Sequence, residues 1–93
     1  MQFPSWADAP KLSKKRRATQ RLRFIISNLA LRVSGRQSHR ALADHVGLNH
    51  STISVYVRRG AFSEKAAKVI EDRVGKELCP SEWLTDPLSI KTQ

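Results

Sequence analysis

Between His39 and Gly60 the chain reads HRALADHVGLNHSTISVYVRRG, two apolar patterns of helical period parted by Gly47 and Leu48. Neither spans more than about three turns, and helices that short are marginal in water unless another element covers their apolar side. The first, capped by Ser38, turns Ala41, Leu42 and Val46 inwards; the second, capped by Asn49, turns Thr52, Ile53, Tyr56 and Val57 inwards as far as Gly60. Ala43 is small where the two helices cross, and Gly47 admits the positive φ of a tight turn. Leu42, Val46, Leu48, Ile53 and Tyr56 pin both helices onto one core, which leaves His50, Ser51, Ser54, Val55 and Arg58 facing outwards. β-branching in the second helix weakens its intrinsic helicity, so packing must hold it.

The flanks supply the rest of that core. Leu22, Ile25, Ile26, Leu29 and Val33 share one helical face and predict a helix from about Ala18 to Val33, with Gln20, Arg21, Arg23 and Arg32 opposite and a stop at Ser34 and Gly35. Ser63 predicts the cap of a helix over Glu64–Val74 that buries Ala66, Ala67, Ile70 and Val74 and closes at Gly75. Pro80 fits the first turn of a short helix to about Leu84, ended by Asp86-Pro87, with Leu88 and Ile90 as a brief extended tail. Residues 1–14 hold two prolines, the isolated Phe3 and Trp6 and then a basic cluster, and read as a flexible basic arm. Ninety-three residues leave room for one core. The expected architecture is all-α, a compact bundle of about five short helices within residues 15–93.

Charge narrows the function. Lys plus Arg number 17 against 8 Asp plus Glu, a formal charge of +9. No acid lies between Asp8 and Asp44, whereas Lys11, Lys14, Lys15, Arg16, Arg17, Arg21, Arg23, Arg32, Arg36 and Arg40 all do. That asymmetry points to a polyanionic partner met by one face. Cys79 is the single cysteine, which excludes an intramolecular disulfide and a cysteine zinc cluster and suits a reducing cytosol. The first ten residues carry Asp8 and no apolar run, unlike a secretory signal, and no stretch approaches the ~18 apolar residues of a membrane span, so a cytoplasmic chain with access to the chromosome is expected. Paired carboxylates, a glycine-rich phosphate loop and a nucleophile with an evident base are all missing from the pattern, so no enzyme and no cofactor are expected.

Over residues 37–60 the chain resembles the helix-turn-helix of Cro-type and CI-type phage regulators, which have a lambda-repressor-like fold. The likeness lies in Leu42-Ala43, Gly47-Leu48, the run Ser51-Thr52-Ile53-Ser54 and the closing Gly60. His39 stands where the family usually has a polar residue such as glutamine, and Gly60 comes a residue later than is common. The resemblance implies a repressor of phage or prophage type that reads double-stranded DNA, with His50, Ser51 and Val55 approaching base edges in the major groove and Ser54 and Thr52 beside them. It sets His39, Arg40 and Asn49 near phosphates, and Arg58 and Arg59 likewise at the far end of the reading helix. Side-chain chemistry allows this: a serine hydroxyl reaches several base edges, His50 can donate to guanine and Val55 can meet a thymine methyl. With no Arg or Gln at the central reading positions, DNA shape is expected to share the readout.

Other readings stay open. His39, His45 and His50 lack the i, i+4 spacing of a helical metal pair. The basic run from Lys11 to Arg23 suits a solvated helix extension, phosphate contacts or an arm in the minor groove. Phe3 and Trp6 are expected to cover a hydrophobic patch or join a dimer contact. Trp83, Leu84, Leu88 and Ile90 exceed what a short tail needs and suggest a C-terminal dimerisation segment, and a homodimer would read half-sites about 34–36 Å apart. The alternative is an antitoxin that represses its own operon and holds a partner protein through the acidic, apolar-rich stretch from Glu71 to Ile90. An RNA-binding role lacks a stacking platform, since Phe3, Trp6, Phe24, Tyr56, Phe62 and Trp83 are scattered.

Overall fold

Four side chains set where the main helices begin. Ser13 Oγ accepts from the Arg16 amide at 3.3 Å and opens α1 (Lys14–Ser34). Ser38 Oγ accepts from Ala41 at 3.1 Å and opens α2 (His39–Val46), and Asn49 Oδ1 accepts from Ser51 at 3.0 Å and opens α3 (His50–Arg59). Ser63 Oγ accepts from Ala66 at 3.2 Å and opens α4 (Glu64–Val74). Each cap satisfies an amide the helix itself cannot, worth about 1 kcal/mol. A short α5 (Ser81–Thr85) and two single 3-10 turns, Ser5–Ala7 and Pro87–Ser89, complete the chain. The computed structural model describes residues 2–91; Met1, Thr92 and Gln93, the ends of the expected arm and tail, lie outside the described residues.

The result is an all-helical bundle, as the periodicity predicts. Leu22, Ile25, Ile26 and Leu29 of α1 meet Leu42, Ala43 and Val46 of α2, Ile53 and Val57 of α3, Ala67 and Ile70 of α4, and Leu84 of α5 in one buried cluster. Ala43 is fully buried where α2 and α3 pack together. Gly47, at φ 77°, ends α2 with its amide donating to Ala43 O at 2.9 Å, and Leu48 donates to the same carbonyl at 3.0 Å. Left-handed backbone of this kind favours glycine, so the chain can turn into α3 within Gly47, Leu48 and Asn49.

Three expectations about the N-terminal part of the chain need correction. First, α1 begins at Lys14 rather than near Ala18, because Ser13 caps a basic first turn that contributes nothing to the apolar face. Second, residues 2–13, read as a flexible arm, are laid against α1. Ala7 is buried, and Phe3 and Trp6 meet Phe24 edge-on with ring centroids 5.6 and 6.2 Å apart. Third, Arg21, placed on the solvent face of α1, is only 6% exposed. Its Nη1 donates to Pro87 O at 2.9 Å and Ile90 O at 3.3 Å, while Nε and Nη2 donate to Asp8 Oδ1. A guanidinium tolerates burial only when its donors are met in this way.

The C-terminal segment differs in the same direction. Pro80 is the residue before α5 rather than within its first turn, and the tail coils into the Pro87–Ser89 turn instead of extending. Leu84 and Ile90 are buried and Trp83 is half-buried, with Phe62 N donating to Leu84 O at 2.8 Å, so most of the apolar surface offered for self-association is spent inside this chain. Leu88, with Trp6 and Leu31, stays exposed. Glu71, assigned to an acidic outer surface, is buried: its Oε2 accepts from the Ser81 amide at 2.7 Å and its Oε1 from Lys68 Nζ at 3.1 Å, which ties α4 to the start of α5. Those donors, the Ser81 amide first, hold its carboxyl below the usual range. Cys79 is fully buried beside this junction, and burial pushes its thiol up to about 12. Among the described residues no helix is long and apolar enough to cross a membrane.

Candidate nucleic-acid interface

Ile53 and Val57 are sunk in the core, so α3 presents its other side to solvent from end to end. His50 and Ser51 at its start and Arg58 and Arg59 at its end are exposed, while Thr52, Ser54 and Val55 between them are half-exposed. Tyr56 is half-buried against Phe62, ring centroids 5.1 Å apart, which fixes the helix about its axis. The expected reading residues therefore share one accessible side, flanked by a shallow hollow lined by Ser51, Thr52, Val55, Tyr56 and Arg59.

Hydrogen bonding at the start of α3 decides which atoms remain available. Asn49 Oδ1 accepts from the Ser51 amide at 3.0 Å and from the Ser51 hydroxyl at 2.8 Å. The hydroxyl proton is thereby committed, and Ser51 meets a ligand as an acceptor. With Oδ1 so engaged, the Asn49 side-chain NH2 is a donor suited to a phosphate oxygen. Sequence reasoning placed both residues at the interface but could not divide donor from acceptor between them.

α2 brings His39 to the same side, within electrostatic reach of His50. Arg40 is exposed and His39 half-buried, close enough to Arg23 of α1 and to His50 that their charges act on it. Burial first, then those two neighbours, lowers the His39 imidazole from its ordinary value of 6.5, so at neutral pH it is uncharged and one ring nitrogen is free to accept. Among the described residues no group of three His, Cys, Asp or Glu side chains comes together as a metal site would require.

Sequence reasoning left α1 undecided, and its neighbourhood is now specific. Gly60, at φ 82°, closes α3 so tightly against α1 that a Cβ there would lie 3.2 Å from Ala18 Cβ. Thr19 Oγ1 donates to Arg58 O at 3.3 Å beside it. From this crossing α1 runs towards Arg23 and the pair His39 and His50, alongside α3. The apolar periodicity of α1 marks only its buried face and carries no sign that the polar face borders α3. Comparison of the chain with family models, with curated proteins and with solved structures returned no match.

Proposed function

We propose that this protein is a sequence-specific regulator of transcription that inserts α3 into the major groove of double-stranded DNA, a repressor of the Cro-like type. The observation that carries the reading is the division of α3 into a locked apolar side, Ile53 and Val57, and an accessible polar side from His50 to Arg59, set in a stretch, residues 45–63, that holds no Asp or Glu. A helix fits the major groove, and anchoring its inner side is what allows its outer side chains to hold a fixed register against base edges.

In this reading His50, Ser51 and Val55 meet bases with Thr52 and Ser54 beside them. Ser51 serves as an acceptor for the amino group of adenine or cytosine, and Val55 packs on a thymine methyl. Asn49, His39 and Arg40 at one end and Arg58 and Arg59 at the other meet phosphates. One such helix discriminates weakly, so a homodimer on a palindrome is part of the proposal; the exposed Trp6, Leu31 and Leu88 are the apolar residues left for its contact. The alternative, an antitoxin holding a protein through Glu71 to Ile90, is weakened because Glu71, Leu84 and Ile90 face inwards.

The test is selection of bound fragments from random duplex DNA. Recovery of a palindrome whose half-sites lie about 34–36 Å apart supports the proposal. Recovery of no consensus, with a stoichiometric protein partner in pull-down instead, rejects it.

A further inference from the structure

The polar face of α1 and the end of α3 enclose a cleft of about 220 Å³ lined by Lys15, Arg16, Thr19, Gln20, Arg23 and Arg58. Four of the six are cations, and they come from two helices. Among the described residues none of the four has a carboxylate within 4.0 Å, whereas Arg17 and Arg21, on another side of the same helix, both reach Asp8. The chain thus neutralises one basic face of α1 and leaves the other bare.

Two further details suit an anion. The last carbonyls of a helix carry partial negative charge and repel anions, but Thr19 Oγ1 donates to Arg58 O at 3.3 Å and covers one of them. Lys15, Thr19 and Arg23 recur every four residues, so the cations Lys15 and Arg23 stand at the two ends of a stripe about 12 Å long beside α3, itself about 15 Å, with the Thr19 hydroxyl between them. Like charges gathered in a concave, half-solvated cleft repel each other, and a linear polyanion laid along them removes that repulsion.

We propose that this cleft is a second backbone site for duplex DNA, in which Lys15, Arg16 and Arg23 with Arg58 grip the phosphodiester strand bordering the groove that α3 enters. It rests on the DNA reading above and extends the contact surface from α2 and α3 to the first half of α1.

The test titrates the 93-residue chain with a fluorescent random-sequence duplex over a range of salt concentrations. Lys15→Ala/Arg16→Ala is compared with Arg73→Ala/Lys76→Ala, which removes the same charge from the end of α4 and the loop after it. Each phosphate contact contributes about 0.9 to the slope of log K against log salt, so the first variant loses about 1.8 and the second less than about 0.5. All four side chains are exposed, and unchanged helical circular dichroism verifies that both variants fold. A wild-type chain that binds duplex while both variants lose equal slope overturns the cleft alone. A wild-type chain that binds no duplex, or prefers single-stranded RNA of the same length, overturns the underlying reading as well.

Discussion

Arg21 and Asp8 form a two-bond ion pair, Nε and Nη2 donating to the same Oδ1 at 3.1 and 2.7 Å, with the guanidinium 4.7 Å from the centre of the Phe3 ring. The remaining nitrogen is taken by the carbonyls of Pro87 and Ile90, so one side chain joins α1 to both flanking segments. Asp8→Ala strips the buried cation of its counter-charge. Asp8 is partly exposed, so the expected cost is about 2 kcal/mol rather than that of a fully buried pair. Thermal melting followed by circular dichroism should fall by roughly 8–16 °C; an unchanged midpoint would remove the pair from the stability of the fold.

On the proposed reading, His39 links DNA binding to pH. A phosphate beside it favours the imidazolium that burial, Arg23 and His50 oppose in the free protein, so the complex takes up a proton. Affinity for a fixed duplex should therefore rise as pH falls through and below 6.5, by up to about tenfold per unit, and His39→Gln should flatten the profile. Stability of the free protein moves oppositely. The unfolded imidazole titrates higher than the folded one, so this contribution is complete above 6.5 and declines as pH falls below it. A variant that retains the wild-type pH dependence of binding would refute the role.

Glu71 governs a separate, acid window. Its folded carboxyl titrates below the unfolded value of 4.5, first because of the Ser81 amide and then Lys68, so its contribution is intact above 4.5 and disappears as pH drops through the folded value. Glu71→Gln should lower the melting midpoint at neutral pH yet narrow the gap between neutral and acid midpoints. Equal gaps in the two proteins would count against the link.

Gly60 and Gly47 have almost the same φ, 82° and 77°, but different surroundings. At Gly47 a Cβ meets nothing within 4 Å, so Gly47→Ala should cost only the left-handed penalty of about 1 kcal/mol. At Gly60 the Cβ also presses on Ala18, so Gly60→Ala should cost roughly 2–4 kcal/mol and displace the cationic edge of α1 from α3. Urea midpoints for the two variants provide the comparison, and equal losses would refute the tight crossing.

On the proposal that α3 reads DNA, His50→Ala/Ser51→Ala should erode discrimination between a selected site and random duplex more than it erodes random binding. Arg58→Ala should instead weaken both and reduce the salt slope by about one. Competition binding with the two duplexes separates these outcomes; equal losses from the double variant would place its side chains away from the bases.

Helix order, the caps at Ser38, Asn49 and Ser63, and the core positions of α2 and α3 were legible because they depend on neighbours within one turn. Arg21 was misplaced because its partners lie 13, 66 and 69 residues away, and no local pattern marks an arginine as internal. The cleft on α1 was invisible for the same reason: which basic residues keep company with Asp8 and which face Arg58 is settled only when the segments pack. The candidate reading residues were found together because they occupy one short helix, yet the commitment of the Ser51 proton to Asn49 needed coordinates.

The burial of Cys79 gives the chain a built-in reporter. A sulfur sealed at the α4–α5 junction, and far from its thiolate form at neutral pH, is shielded from alkylating reagents until that junction opens. Labelling kinetics on the unaltered protein would then clock the breathing of its C-terminal half, and slower labelling in the presence of duplex DNA would reveal stiffening passed through the bundle.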